Sequence, residues 1–439
     1  MTRTLVQSLT GQDSHNGRLG FFSICTAHPA VIEAALRDGR AHGEHVLIEA
    51  TCNQVNQEGG YTGMTPAGFR DFAGQIAAKV GFPMERLILG GDHLGPAPWK
   101  SLPADAAMAR AEAMIASYAR AGFRKLHIDA SMGCDGEPEM LDDEVVAERA
   151  VRLVRAAEAS APRDHPPLYV IGTEVPVPGG ALEVIDHLEV TRPCAAQRTM
   201  EVHRAAFEQA GLAAAFERVI GLVVQPGVEF GHQNVIVYRP ERARDLSGLL
   251  ATGNGYVFEA HSTDYQPACA LAALVRDGFA ILKVGPGLTF AYREALYGLD
   301  AIAQALAPVP ESETLEALME RLMVAHPEHW RKYYHGTEDE MRVQRHFSYS
   351  DRIRYYWAMP EAQAAVDRLL ARLDGVTIPE TLIGQYLAAL YPAVRSGAVA
   401  ATPAGLLEYA VSRVFDVYRQ AVIGPHSASA LTCGSEVAV

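Results

Sequence analysis

The chain has 439 residues, 49% of them hydrophobic, and a formal net charge of −14 at pH 7. This acidic balance argues against a nucleic-acid-binding protein, because neutralising phosphates needs clustered lysine and arginine side chains. No stretch approaches the ~18–20 uninterrupted apolar residues of a membrane helix. The polar N terminus lacks a signal-peptide core and the six cysteines lack CxxC spacing, so we expect a cytoplasmic protein with reduced thiols.

Short apolar runs alternate with longer segments of helical periodicity over most of the chain. The apolar runs predict eight strands, at residues 19–26, 46–51, 87–92, 125–130, 168–174, 218–225, 256–261 and 280–285. The segments between them predict helices, one beginning at Thr65-Pro66 and others at residues 104–121, 143–160, 197–212, 239–251 and 267–277. Eight strands that each lead into a helix favour an α/β fold of the (β/α)8, or TIM-barrel, type over an open doubly wound sheet.

The strand pattern stops at about residue 310, and the sequence beyond it is helical and polar. We therefore expect the barrel to occupy residues 1–309 and a helical extension, packed on the barrel, to occupy residues 310–425. Residues 426–439 are predicted to form a loose tail.

The polar residues that end the strands are the candidates for a functional site, because a TIM barrel carries its active site at the carboxyl ends of its strands. Strands two to seven each deliver a carboxylate, amide or imidazole to this rim, where unpaired polar groups are costly to bury. A single histidine or aspartate at such a position often has a structural role, in hydrogen bonding or helix capping. Their convergence instead predicts a polar, polyhydroxylated substrate, together with a metal or an acid–base group.

Three imidazoles, those of His93, His232 and His261, leave three different predicted strands. Neutral imidazole is a common ligand of divalent ions, and a catalytic zinc typically takes three protein ligands and keeps one position open. The three histidines therefore predict a divalent metal, with zinc as the first candidate. Glu174 is the alternative ligand if one of the three is misplaced.

The turn Gly285-Pro286-Gly287 after the eighth strand predicts a phosphate site. In such barrels the loops after strands seven and eight often bind phosphate through backbone amides and a helix N terminus. Ser262, Thr263, Gly285 and Gly287 are the candidate donors. An ordinary Gly/Pro turn is the alternative.

Several long motifs extend this interpretation, among them VLIEATCNQVNQEGGYTGMTPAGFRDF, LILGGDHLGP, YVIGTEVPVPGG, ILKVGPGLTFA and SYSDRIRYYW. Through them the chain, over roughly residues 20 to 420, resembles the GatZ/KbaZ family. That family is associated with tagatose-bisphosphate aldolase and with galactitol and tagatose catabolism. The resemblance implies a TIM barrel related to the class II, metal-dependent aldolases.

The resemblance also implies roles for particular residues. In class II aldolases an Asp-His pair after a strand supplies the acid/base carboxylate and a metal ligand, and here that pair is Asp92 and His93. His261 lies where another ligand is expected. The segment VVQPGVEFGH departs from the aldolase pattern and displaces His232, so Gln225 or Glu174 is an alternative third ligand.

Two roles are attached to the family. Some members are described as non-catalytic partners of a smaller class II aldolase subunit, and others interconvert D-tagatose 6-phosphate and D-fructose 6-phosphate. The polar rim favours the second role, a ketohexose-phosphate 4-epimerase that works by metal-assisted retro-aldol and aldol steps. A homo-oligomer is also compatible with the sequence.

In this interpretation Asp92, with Glu174 as its partner, is the catalytic acid/base. The predicted residues for binding the phosphorylated ketohexose are Glu49, Asn53, Asp129, Gln225, Glu259, Ser262, Lys283 and Gly285. Arg352 and Arg354 either reach the phosphate or a neighbouring subunit, or are solvated at a helix start capped by Ser350. A sugar-phosphate kinase is disfavoured, because the chain has no GxxxxGK[ST] loop.

Overall fold

The structure is a computed structural model that describes residue 7 and residues 19–172, 188–252 and 255–423. Its parallel strands are Phe21–Cys25 (β1), Val46–Thr51 (β2), Leu87–Leu94 (β3), Lys125–Ile128 (β4), Leu168–Ile171 (β5), Val219–Val223 (β6), Val257–Ala260 (β9) and Ile281–Val284 (β10). They close into a barrel in this order, with β10 paired to β1. The predicted TIM barrel and its eight strands are confirmed. A hairpin of Glu229–Phe230 (β7) and Val235–Ile236 (β8) was not predicted.

Helices surround the barrel and continue beyond it. Those of the barrel region are Pro29–His42 (α1), Pro66–Val80 (α2), Ala104–Arg120 (α3), Asp143–Ser160 (α4), Pro193–Gln209 (α5), Ala213–Phe216 (α6), Pro240–Gly248 (α7), Ala268–Arg276 (α8) and Pro286–Leu306 (α9). The later ones are Leu315–Ala325 (α10), Glu338–Phe347 (α11), Pro360–Arg372 (α12), Glu380–Tyr386 (α13), Tyr391–Arg395 (α14) and Pro403–Val422 (α15). The start of α2 follows the sequence signal, since the Thr65 side chain accepts a hydrogen bond from the Gly68 N–H and Pro66 occupies the first turn.

Two adjacent glycines allow β3 to carry the site. A Cβ atom at Gly90 would lie 2.7 Å from Glu49 Cγ, and one at Gly91 would lie 2.8 Å from a ring carbon of Tyr118. The pairing of β3 with β4 then shifts register between Gly91 and Leu94. This irregularity holds the Asp92-His93 pair at the top of the barrel, which explains why the buried strand ends in two polar residues.

The last helix, α15, belongs to the helical ring of the barrel. It packs against α1, α8, α9 and β1. Phe22 of β1 contacts Phe415 and Tyr418 of α15, with ring centroids 6.3 and 5.7 Å apart. Tyr418 also donates a hydrogen bond to the backbone oxygen of Thr263, after β9, at 2.7 Å. This part of the predicted extension therefore completes the helical ring of the barrel. The domain boundary near residue 310 stays a prediction.

Some predictions fall outside the fold as described. Glu174 and the predicted tail at residues 426–439 lie outside the described residues.

Cys25, Cys52, Cys134 and Cys194 are free thiols, whereas Cys269 is disulfide-bonded, so the expectation of reduced thiols is wrong for that residue. No helix in the described ranges has both the length and the apolarity needed to cross a membrane.

Candidate active site

The barrel interior changes from apolar to charged along the strands, because alternate residues of each strand point inward. An apolar cluster that includes Leu47, Ile88, Val257 and Ile281 fills one part of the interior. Two residues further along the same strands the sequence has Glu49, Gly90, Glu259 and Lys283. The next inward positions, on β3, β4 and β9, are Asp92, His127 and His261. The same alternation of inward-pointing residues thus gives an apolar cluster in the lower part of the barrel and a polar site toward the carboxyl ends of the strands.

Four charged side chains form the layer directly under the site. The Lys125 Nζ atom lies 2.6 Å from Glu49 Oε1 and 2.7 Å from Glu259 Oε2, and all three side chains are fully buried. Lys283 Nζ lies 3.6 Å from Glu49 and 3.5 Å from Glu259, and it also contacts Asp92. Burial opposes the charge of Lys125, but Glu259 and Glu49 outweigh it and raise the pKa of Lys125. Removing one partner would leave an uncompensated buried charge.

Three imidazoles form a triangle above this layer. The ring centroids of His93, His127 and His261 lie 4.9 to 5.0 Å from one another. Burial lowers the pKa of His127 and of His261 to about 4. Both rings are therefore neutral at pH 7, the state in which imidazole binds metals.

Each imidazole has one nitrogen anchored by the protein. His93 Nδ1 lies 2.8 Å from Asp129 Oδ2, and His261 Nε2 lies 3.0 Å from Glu259 Oε1. His127 Nδ1 lies 2.9 Å from Asp92 Oδ1 and 3.1 Å from the His93 backbone nitrogen, whereas His127 Nε2 is buried with no hydrogen-bond partner among the described residues. Metal-binding histidines characteristically use the second nitrogen for a carboxylate or backbone contact of this kind.

The donor set fits a divalent cation. Ligand atoms of His127 and His261 lie within 4.8 Å of each other and of a ligand atom of Asp92. The His93 ring, whose centroid lies 4.9 and 5.0 Å from those of His127 and His261, adds a third imidazole. The buried carboxylates of Glu49, Asp92, Asp129 and Glu259 also outnumber the two neighbouring lysines, Lys125 and Lys283. A bound cation would balance this excess of negative charge, which is costly in a buried site.

Two residues of the site have strained backbones. His93 has φ of 49° and Ser262 has φ of 52°, in the left-handed region that residues with a side chain rarely adopt. Such conformations cost roughly 1–3 kcal/mol each and cluster at functional sites. They turn the side chains at the ends of β3 and β9 toward the cavity.

A cavity of about 420 Å³ opens above the imidazoles. Seven of the predicted site residues line it directly: Asn53, Asp92, His93, His261, Ser262, Lys283 and Gly285. Glu49, Asp129 and Glu259 are buried and contact those lining residues through the ion pairs described above. They support the lining side chains from behind.

Two predicted residues do not reach the cavity. His232 Nε2 lies 2.9 Å from the carbonyl oxygen of Tyr333 and Nδ1 lies 3.2 Å from Ser348 Oγ, so both ring nitrogens are occupied. Its predicted place in the histidine set is taken by His127. The Gln225 amide oxygen accepts the backbone N–H groups of residues 227 and 228, at 2.8 and 2.9 Å, and holds a turn.

The predicted phosphate donors after β9 and β10 are also engaged. The backbone N–H groups of Gly285 and Gly287 donate to Asp264 Oδ1 at 2.9 and 2.7 Å. The Thr263 hydroxyl donates to the carbonyl oxygen of Lys283 at 2.6 Å. Asp264 thus occupies the backbone amides that a phosphate would need, and phosphate binding by these amides stays a prediction.

The two arginines of SYSDRIRYYW have different environments, and neither is solvated at a helix start. Arg354 lines the cavity. Arg352 is 3% exposed, and its guanidinium lies 3.0 Å from the centroid of the Tyr333 ring. The short 3₁₀ helix that carries both follows Asp351, not the predicted cap Ser350.

Sequence-based prediction gave no role to His127 or Glu229. His127 alternates with Lys125 and Asp129 along β4, and this period-two pattern could have shown that all three point inward.

Glu229 is 5% exposed and hydrogen-bonds Ser262 in the cavity wall. Burial raises the pKa of Glu229 to about 7, suited to proton exchange near neutral pH.

Comparison with known proteins places the chain in context. Residues 6–423 match the family described as D-tagatose-1,6-bisphosphate aldolase subunit GatZ/KbaZ-like. The chain is 55% identical over 404 residues to the D-tagatose 6-phosphate 4-epimerase of Agrobacterium fabrum (strain C58 / ATCC 33970), covering 92% of this chain and 94% of that one. The crystal structure of a probable tagatose 6 phosphate kinase from Sinorhizobium meliloti 1021 superposes with a TM-score of 0.86. The two sequences are 58% identical, and the match covers 92% of this chain and all of the other (100%).

Proposed function

The chain belongs to the GatZ/KbaZ-like family, and we propose that it is a ketohexose-phosphate 4-epimerase that interconverts D-tagatose 6-phosphate and D-fructose 6-phosphate. The observation that carries this proposal is the convergence of Asp92, His93 and His261 on one cavity, with the His127 ring buried directly behind them. The 55% identity to the Agrobacterium epimerase supports the choice of substrate. Such a reaction would serve galactitol or tagatose catabolism.

The chemistry of the two sugars limits the mechanism. They differ only in configuration at carbon 4, whose C–H bond is not acidic, because the carbonyl at carbon 2 activates carbon 3 instead. Breaking the C3–C4 bond by retro-aldol cleavage gives an enediolate of carbons 1–3 and an aldehyde of carbons 4–6. If the aldehyde rotates and the bond forms again on its other face, carbon 4 is inverted.

Asp92 is the residue proposed to move the proton of the carbon-4 hydroxyl. Its carboxylate lines the cavity, contacts Lys283 and lies 2.9 Å from His127 Nδ1. The Lys283 ammonium group thus forms an ion pair with the Asp92 carboxylate. In cleavage Asp92 accepts the hydroxyl proton while the C3–C4 electron pair passes into the enediolate. When the bond forms again on the other face, the carbon-4 oxygen takes a proton from a second carrier, and proton exchange with solvent restores Asp92 and that carrier.

Rotation of the aldehyde turns its oxygen toward the opposite wall, where a second proton carrier is useful. Glu174, the predicted partner of Asp92, is proposed for this role from its sequence position. Among the described residues, Glu229 can serve through the Ser262 hydroxyl. Ser262 follows β9, which lies four strands away from β3 and thus across the eight-stranded barrel from Asp92.

His93, His127 and His261 are the residues proposed to hold a divalent metal, with zinc the choice that three nitrogen donors favour. When bound, such an ion supplies a Lewis acid that stabilises negative charge on the oxygens of carbons 2 and 3. Asn53 is proposed to bind substrate hydroxyls in the cavity. Glu49, Asp129 and Glu259 orient the lysines and histidines above them.

Kinase activity is not supported by the site, although the Sinorhizobium relative carries that name. The chain has no GxxxxGK[ST] loop. Its glycine turn after β10 donates to the carboxylate of Asp264, which would repel a nucleotide phosphate. No described feature favours the non-catalytic aldolase subunit over the epimerase, and the experiment that follows separates them.

The test uses the purified chain alone with D-tagatose 6-phosphate, with and without a chelator. Formation of D-fructose 6-phosphate is followed by a coupled isomerase and dehydrogenase. We expect product formation that the chelator abolishes and added zinc restores. An inactive chain that instead raises the activity of a separate class II aldolase would establish the support role and contradict the proposal.

A further inference from the structure

The outer end of the cavity is lined by cationic side chains. Lys100, Lys332 and Arg354 belong to its wall, together with Tyr61 and Tyr355. No carboxylate within the described ranges forms an ion pair with any of the three cations, whereas many other arginines of this acidic chain are paired. The cavity is therefore negative at its inner end, around Asp92, and positive at its mouth.

Arg354 is the most strongly held of these cations. Its guanidinium donates to the carbonyl oxygens of Ser350 and Asp351 and, at 3.0 Å, to the hydroxyl of Tyr355. All three acceptors are neutral, and Asp351 and Asp264 act on the guanidinium through their charge without forming an ion pair with it, so Arg354 can still bind an anionic ligand. Burial alone would raise the pKa of Tyr355, but Arg354 and Arg352 outweigh it and lower that pKa, as expected in a positive local field.

The segment that carries Arg354 is fixed to the barrel. Asp351 has φ of 43° and immediately precedes the 3₁₀ helix of Arg354. Its carboxylate accepts hydrogen bonds from Arg293 Nε at 3.0 Å and Thr289 Oγ1 at 2.6 Å. Both donors lie on α9, which follows β10 directly, so Arg354 is positioned relative to Lys283 at the cavity floor.

We propose that Arg354, with Lys332 and Lys100, binds the phosphate group of the substrate at the cavity mouth. This inference rests on the proposed function and specifies its substrate class, a ketose carrying a terminal phosphate. A guanidinium can bind two phosphate oxygens at once, and the two lysines add point charges. Arg354 and Lys332 of the C-terminal extension and Lys100, which follows β3, would then hold the phosphate, and carbons 1–4 of the sugar would face the imidazoles.

The first test compares Arg354→Met, Arg354→Lys and the control Arg331→Met, which removes an exposed arginine next to Lys332 that does not line the cavity. We expect Arg354→Met to raise KM for D-tagatose 6-phosphate roughly 10- to 100-fold, as loss of hydrogen bonds to a charged group predicts. Arg354→Lys should be intermediate, and Arg331→Met should match wild type. An unchanged KM in Arg354→Met would overturn the proposal.

The second test measures binding of inorganic phosphate by titration calorimetry and needs no activity. Wild type and Arg331→Met should bind phosphate, and Arg354→Met should bind at least tenfold more weakly with an unchanged circular dichroism spectrum. Equal binding by wild type and Arg354→Met would overturn the phosphate site even in an active epimerase. Phosphate binding that depends on Arg354 in an inactive chain would keep the site and reject the epimerase, so the two failures are distinguishable.

Discussion

At the scale of single residues, Asp92 is the group on which the proposed chemistry depends. Asp92→Asn keeps the volume of the side chain but removes its ability to accept a proton. We expect turnover to fall by roughly 10²–10⁴-fold, while bound zinc measured by atomic absorption stays at the wild-type level. The exposed Asp164→Asn is the matched control. Full activity in Asp92→Asn would remove this residue from the mechanism.

The choice between His127 and His232 is a second question at this scale. In the part of the chain that the structure describes, the buried Nε2 of His127 has no hydrogen-bond partner, whereas both ring nitrogens of His232 are occupied outside the imidazole triangle. We therefore expect His127→Gln to lose zinc after dialysis, and His232→Gln to retain it. Metal loss in His232→Gln with retention in His127→Gln would reverse the assignment.

Glu229 gives a pH dependence whose sign follows from its environment. Burial raises its pKa from 4.5 to about 7, so between these values the folded chain holds a proton that the unfolded chain releases. The free energy of unfolding should therefore fall as pH rises through this range, by about 3 kcal/mol from this group. Glu229→Gln removes the contribution.

The measurement is urea unfolding of both proteins at pH 5 and pH 8. Glu229→Gln should gain stability relative to wild type on going from pH 5 to pH 8. The exposed Glu217→Gln should show no such change. A variant whose difference from wild type is the same at both pH values would contradict the assigned environment of Glu229.

At the scale of elements, α15 joins the C-terminal extension to the barrel. Phe415 is fully buried against Phe22 of β1, and truncating such a residue usually costs about 3–5 kcal/mol. We expect Phe415→Ala to lower the stability of the whole chain in a single transition, and Gln420→Ala on the exposed face of α15 to have little effect. Separate melting of the extension, with the barrel transition unchanged, would contradict this.

The elements also show what the sequence could predict. Short apolar runs between longer segments of helical periodicity identified the eight barrel strands, and the helical period gave the bounds 143–160 that α4 has. β7 and β8 have two residues each, too few for a periodic signal. His232 was chosen for its closeness to the end of β6 in sequence, but it lies in the turn of the β7–β8 hairpin, where Tyr333 and Ser348 occupy its ring nitrogens.

The sequence could predict those site residues whose side chains are placed by their position on a barrel strand. It could not predict the contacts that form where elements distant in sequence meet. Asp92, His93 and His261 follow from their positions at strand ends. Asp264 occupies the amides of Gly285 and Gly287 through a contact across a neighbouring loop, which no local pattern reveals. Arg354 reaches the cavity only because Arg293 and Thr289 of α9 hold Asp351.

At the scale of the whole molecule, the charges form a gradient along one cavity. From the bottom of the barrel upward, the interior is first apolar, then a layer of paired lysines and carboxylates, then a cluster of three imidazoles, and finally three cationic side chains at the mouth of the cavity. A sugar phosphate matches this order, with its reacting ketose inside and its phosphate outside. The molecule's net charge of −14 says nothing of this local arrangement.

The central claim, inversion of carbon 4 by cleavage and re-formation of the C3–C4 bond, is tested most directly with an isotope. The purified chain, loaded with zinc, is incubated in water with D-tagatose 6-phosphate that carries deuterium at carbon 4. Retro-aldol chemistry leaves that deuterium on the aldehyde carbon, so the account predicts D-fructose 6-phosphate with full retention by NMR and no product in chelator. Replacement of the deuterium by solvent hydrogen would contradict it.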